Sequence, residues 1–85
     1  MRILIVNSSS QIVERLGEVI SVVEKVTSLH MVVSYAEAKK LLNENKYDAL
    51  FLDIELPGNE SVKLLAETKK NSGSCLIVIF SRVMY

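Results

Sequence analysis

Three short runs of apolar residues, each bounded by polar or turn-forming residues, constrain this chain more than any other feature. They are Ile3-Leu4-Ile5-Val6, Ala49-Leu50-Phe51-Leu52 and Leu76-Ile77-Val78-Ile79-Phe80. Consecutive apolar residues without alternation leave no side for water, so each run suits a strand buried on both faces. Between the runs, apolar residues recur at helical spacing. Ile12, Val13, Leu16, Val19, Ile20 and Val23, interleaved with Glu14, Arg15, Glu18 and Glu24, predict an amphipathic helix over about 11–24. Gly17 lies inside it at a cost of roughly 1 kcal/mol relative to alanine. His30-Met31-Val32-Val33 reads as a weaker strand. Ser34 and Glu37 form a capping box, in which each side chain can satisfy the other's backbone N–H, and open a helix with Ala38, Leu41 and Leu42 inward. After the turn at Leu56-Pro57-Gly58, a third helix over about 60–70 is expected to face Val62, Leu65 and Ala66 inward and the Lys63/Glu67 pair outward.

The order is therefore βαβαβαβ. Strands alternating with helices of this length imply an α/β fold, a parallel sheet with right-handed crossovers. A chain that is 49% hydrophobic is too apolar for disorder. Ten basic and ten acidic residues cancel without a block of like charge, which argues against nucleic acid or a membrane as partner. The single cysteine, Cys75, excludes an internal disulfide, and no zinc-type spacing occurs. Ile3 to Val6 is far too short for a signal-peptide core or a membrane span, so a cytoplasmic protein is expected. Gly17, Gly58 and Gly73 are isolated, without a phosphate-binding loop, so a nucleotide-binding domain or small α/β enzyme finds no support.

Parallel strands bring their C-terminal ends to one edge, where open α/β sheets bind ligands. The residues delivered there are Asn7 and Ser8, Asp53, and Ser81; only Asp53 carries a charge. A carboxylate directly after four apolar strand residues costs several kcal/mol to bury unless it is paired or solvated. Spacing alone leaves two readings level: a cap on the following turn through backbone N–H groups, or chemistry.

The stretch Tyr47-Asp48-Ala49-Leu50-Phe51-Leu52-Asp53-Ile54-Glu55-Leu56-Pro57-Gly58 resembles the third-strand signature of response-regulator receiver domains. The frame agrees, with Ile3 to Val6 as first strand, Ser34 to Leu42 as second helix and Ile77 to Ser81 as fourth strand. The resemblance implies a flavodoxin-like (receiver-type) parallel sheet with helices on both faces. It makes Asp53 the acceptor of a phosphoryl group from a histidine kinase or phosphotransfer protein, and Ser81 the hydroxyl that senses it and switches an output domain or partner. Carboxylate attack on a phosphoramidate calls for a charged oxygen, neutralisation of the phosphoryl oxygens and donors that steady the product. In the family Mg²⁺ supplies the neutralisation, held by an acidic pair after the first strand, by the acceptor, and by a backbone carbonyl that here is Glu55's.

Three departures qualify that expectation. The acidic pair is Asn7-Ser8, which removes up to two charges from a site for a hard dication, so Mg²⁺ binding is expected to be weak or lost. That substitution supports the alternative of a degenerate receiver, a phosphorylation-independent interaction module. Ser61 stands where the family usually has glycine. The sequence stops at Tyr85, just past the fourth strand, so residues 1–85 read as a single, incomplete receiver domain. An apolar fourth strand at a sheet edge would favour self-association of the chain. The remaining candidates read as structural: His30 as a surface or packed histidine, Cys75 as an inert small hydrophobe, Asp48 as part of the loop entering the sheet, and Lys69-Lys70 as complements to a helix C-terminus.

Overall fold

Each apolar run becomes a strand in the computed structural model, which describes residues 1–22 and 25–80. The elements are β1 (Arg2–Val6), α1 (Ser10–Ser21), β2 (Ser28–Val32), α2 (Tyr35–Glu44), β3 (Ala49–Asp53), α3 (Glu60–Asn71) and β4 (Leu76–Phe80). All four strands are parallel and lie in the order β2-β1-β3-β4. Leu4, Val6, Leu50 and Leu52 pack on one face with Ala38 and Leu42 of α2 and Leu64 of α3. Ile3, Ile5 and Ala49 pack on the other with Val13 and Ile20 of α1. The expected α/β fold, with helices on both faces, is what the chain forms. No helix among the described residues is long and apolar enough to cross a membrane.

The sequence expectation fails where burial depends on neighbours. β1 is buried on both faces, as its run of apolar residues requires, but β4 is not: Leu76 and Ile79 are exposed, and Ile77, Val78 and Phe80 are half-buried. Among the described strands β4 is flanked by β3 alone, whereas α1 lies over β1 and β2. In α3, Val62 and Ala66 are exposed rather than inward, Leu65 is half-buried, and the buried positions are Ser61, Leu64 and Thr68. A hydroxyl that bonds to its own helix can be buried like a small apolar group. Thr68 Oγ1 donates to the Leu64 carbonyl at 2.7 Å. Asn71 at the end of α3 then fastens it to α2, donating to the Leu42 carbonyl and to Asn43 Oδ1. Lys63 does point outward, over the Tyr35 ring.

In α1, the buried line is Val13, Gly17 and Ile20; Val19 is exposed, and Val23 and Glu24 lie outside the described residues. Ser9 caps this helix, its hydroxyl accepting from the Ile12 N–H at 3.5 Å. Gly17 has a reason that periodicity did not reveal. A Cβ at this position would overlap Met31 Sδ on β2, so glycine leaves room for that side chain to lie against the helix. At α2, Ser34 Oγ accepts from the Glu37 N–H at 3.3 Å and donates to the Glu37 carboxylate at 3.2 Å. Half of the capping box forms as expected, and the glutamate answers the hydroxyl instead of the backbone.

The N-terminal edge of the sheet is closed by polar side chains. Asp48 Oδ2 accepts from the Arg2 N–H at 2.7 Å, and the Arg2 guanidinium donates to Asn45 Oδ1 at 2.6 Å while lying over the Tyr47 ring. Tyr47 is buried; its hydroxyl meets His30 Nδ1 at 2.5 Å, with the two rings edge to face, and its N–H donates to Ser72 Oγ. His30 and Asp48 are thus structural, as expected. Burial, and then the charge of Asp48, push the Cys75 thiol up, which lowers its thiolate fraction and agrees with an inert cysteine.

Candidate functional site

The strand order determines where a ligand can sit. β1 crosses over to β2 on one side and β3 to β4 on the other, so the chain reverses its direction of travel between β1 and β3. In open parallel sheets the crevice beyond the strand ends at such a point is the binding site. The last registered pair across this junction is Val6 with Leu52, so Asn7 and Asp53 are the next residues on adjacent strands, which run about 4.8 Å apart. Both have 0% exposure. The structure therefore brings together the two central residues of the sequence reading.

Asp53 is held from several directions. As the last residue of β3 it pairs with Phe80, and the Ile54 N–H that follows donates to the Phe80 carbonyl at 3.0 Å. Its Oδ1 accepts from the Glu55 N–H at 2.8 Å, closing a tight turn. The capping role weighed against chemistry is thus present, and it uses one of two carboxylate oxygens. Leu56 then buries its side chain and Gly58 takes a φ of 60°, a conformation glycine adopts without steric cost. The chain returns in the first turn of α3, where Ser61 Oγ donates to the Asp53 backbone carbonyl at 2.8 Å. Sequence reasoning gave Ser61 little weight. The available signal was a small hydroxyl residue in the first turn of the helix that follows the aspartate.

Asn7 is oriented by its own loop. Its N–H donates to the Val32 carbonyl at 3.3 Å, and its Oδ1 accepts from the Ser9 N–H at 2.7 Å. The side-chain oxygen thereby serves the entry of α1, which leaves the Nδ2 amide as the other polar end of the side chain. Nδ2 is buried and has no hydrogen-bond partner among the described residues. Leaving such a donor without an acceptor costs about 1–3 kcal/mol. Ser8 is exposed and Glu55 half-buried, while Ser81, the expected sensing hydroxyl, lies outside the described residues. No cluster of three His, Cys, Asp or Glu side chains able to hold a metal occurs among the described residues.

A four-stranded parallel sheet ordered 2-1-3-4, with a buried aspartate at its switch point, is a flavodoxin-like architecture. The family model for the response regulator receiver domain matches residues 3–84, and the chain belongs to that family. It is accordingly a receiver domain of two-component signalling, a family in which phosphorylation of an aspartate is typical and whose members work with histidine kinases or phosphotransfer proteins and with output domains. Among solved structures, the MaeR response regulator bound to beryllium trifluoride superposes with a TM-score of 0.80 at 18% identity, over 100% of this chain and 70% of that one. TrrA of Thermotoga maritima, solved in complex with Mg²⁺ and beryllium fluoride, is 28% identical with a TM-score of 0.78, over 96% of this chain and 70% of that one. The receiver domain of NtrC4 from Aquifex aeolicus gives 0.71 at 18% identity, over 100% and 69%. No curated protein sequence matches the chain.

Proposed function

We propose that Asp53 is the phosphoacceptor of this receiver domain. The observation that carries the proposal is a fully buried carboxylate at the β1/β3 switch point, its turn and backbone fixed by Glu55 and Ser61. A carboxylate oxygen of Asp53 attacks the phosphorus of a phosphohistidine on the kinase or phosphotransfer partner. The P–N bond breaks, its electron pair returns to the imidazole, which takes up a proton, and an acyl phosphate remains on Asp53. Fixing the carboxylate before the donor arrives lowers the orientational cost of that attack. On this reading the domain is the kinase's substrate and not itself an enzyme. Ser81 then bonds the new phosphoryl group and relays its presence to an output domain or partner protein.

A Mg²⁺ ion at this edge would neutralise phosphoryl oxygens, with Asp53, the Glu55 carbonyl, Asn7 and Ser8 at the family's ligand positions. The donor set fits it poorly. A hard dication prefers carboxylate and water oxygens, but Asn7 Oδ1 is bonded to the Ser9 N–H and Ser8 is exposed. Metal binding is accordingly weak in this reading. The neutral pair also favours the second reading, an interaction module independent of phosphate. The exposed apolar residues of β4, Leu76 and Ile79, support self-association of the chain.

Intact-mass measurement after treatment with acetyl phosphate tests the acceptor. We expect one phosphoryl group, placed on Asp53 by peptide mapping and absent in Asp53→Asn. Equal labelling of that variant would remove Asp53 from the role, and an unlabelled wild type would favour the interaction module.

A further inference from the structure

We infer that Asn7 makes this a phosphoryl site of a different kind, in which a neutral side-chain amide, rather than a carboxylate-bound metal ion, receives the charge of the phosphoryl group. The inference rests on Asp53 being the acceptor. Its own basis is the unanswered Nδ2 donor of Asn7, wholly buried in the residue that follows the last registered pair of β1 and β3. An aspartate in that place would repel a phosphoryl group unless a cation stood between them. An asparagine whose oxygen already accepts from the Ser9 N–H still has both amide N–H donors to offer. A donor of this kind matches an anion, and a phosphoryl group on Asp53 adds anionic oxygens beside the end of β1, where adjacent strands are about 4.8 Å apart. The resulting bond is charge-assisted, which makes it one of the stronger hydrogen bonds available to a neutral donor.

With acetyl phosphate as probe, the chemistry is complete without a metal. An Asp53 oxygen forms a bond to phosphorus, the bond from phosphorus to the acetyl oxygen breaks, and acetate leaves with the electron pair. Asn7 contributes hydrogen bonding to the transferred group and takes no part in bond making; it is a positioning and charge-accepting residue.

The test measures phosphoryl-Asp53 by mass, in EDTA and in Mg²⁺, for wild type and Asn7→Asp, a substitution of nearly the same shape that keeps an acceptor for the Ser9 N–H. Wild type should label to within about three-fold in the two buffers, while Asn7→Asp in EDTA should fall by roughly ten-fold or more, the size of a lost hydrogen bond to a charged group, and recover in Mg²⁺. The side-chain amide protons of Asn7, followed by NMR on the wild type, should move downfield on labelling in EDTA, a readout independent of how well the variant folds. Labelling of wild-type Asp53 only in Mg²⁺, undiminished labelling of Asn7→Asp in EDTA, or an Asn7 amide that does not respond would each overturn this inference while leaving Asp53 the acceptor. No labelling of Asp53 in either buffer, in either protein, would end both readings together.

Discussion

The two ends of one sheet are built on opposite plans. At the N-terminal end, polar groups from four regions far apart in sequence satisfy one another: Arg2 with Asp48 and Asn45, His30 with Tyr47, and Tyr47 with Ser72. At the C-terminal end, among the described residues, the Asp53 and Asn7 side chains accept from the backbone of their own loops: Glu55 N–H to Asp53, Ser9 N–H to Asn7. From the first turn of α3, Ser61 adds a side-chain bond there, and it grips a main-chain carbonyl. A polar network closed on itself stabilises and has little left to offer a ligand. Side chains fixed through backbone groups are oriented but keep functional atoms, and here that leaves a buried amide donor at the strand ends. Closed polar pairing marks one end of the strands, and a buried donor without a partner, beside the proposed acceptor, marks the other.

The largest effect that can break this contrast lies at Tyr47. Tyr47→Ala empties a buried aromatic site and removes its ring contacts with Arg2 of β1 and His30 of β2, and should cost about 3–5 kcal/mol in chemical denaturation. A loss under 1 kcal/mol would show that the N-terminal network carries little stability. Tyr47→Phe keeps the ring and should cost about 1 kcal/mol, the net value of one hydrogen bond. It also carries a pH signature. Burial pushes the Tyr47 phenol above its ordinary value of 10.0, with Arg2 opposing and Glu44 adding to the rise. From about pH 10 upward the unfolded chain therefore releases this proton first, binds fewer protons than the folded one, and stability falls as pH rises. Stability profiles of wild type and Tyr47→Phe should converge above that pH; parallel profiles would mean the phenol titrates alike in both states.

At the opposite end, Asn7→Asp combined with Ser8→Asp should lower metal-free stability by about 1–3 kcal/mol, since two carboxylates join Asp53 at one edge. The same change should tighten Mg²⁺ binding by at least about ten-fold, because a hard dication gains two charged oxygens. Calorimetric titration that finds equal Mg²⁺ affinity in both proteins would mean the edge is no longer shaped for a metal.

The smallest effect sharpens the comparison. Ser61→Ala removes a buried hydroxyl from the Asp53 carbonyl and should cost about 1 kcal/mol. It should also reduce phosphoryl labelling of Asp53, while Tyr47→Phe leaves labelling unchanged. A Tyr47→Phe protein that folds but labels poorly would show that the two ends are coupled.

The local pattern of the chain was enough to place the strands, to order them βαβαβαβ, to put Asp53 last on β3, and to mark Ser34 as a cap. Such features depend on residues within a turn or two of one another, and sequence spacing records them directly. Apolarity alone misjudged α3, because Thr68 could be buried only by bonding to the helix carbonyl of Leu64, and Val62 could be exposed only once α2 had taken another side of the helix. It also counted Gly17 only as a cost, whereas the absent Cβ leaves room for the Met31 side chain of β2. The strand order β2-β1-β3-β4 sets Asn7 beside Asp53 through the pairing of β1 with β3, segments more than forty residues apart. Asn7 itself was legible as a missing charge. That its amide nitrogen is the end left without an answer was decided by the loop that claimed its oxygen, because a planar amide that accepts on one side must present its donor on the other.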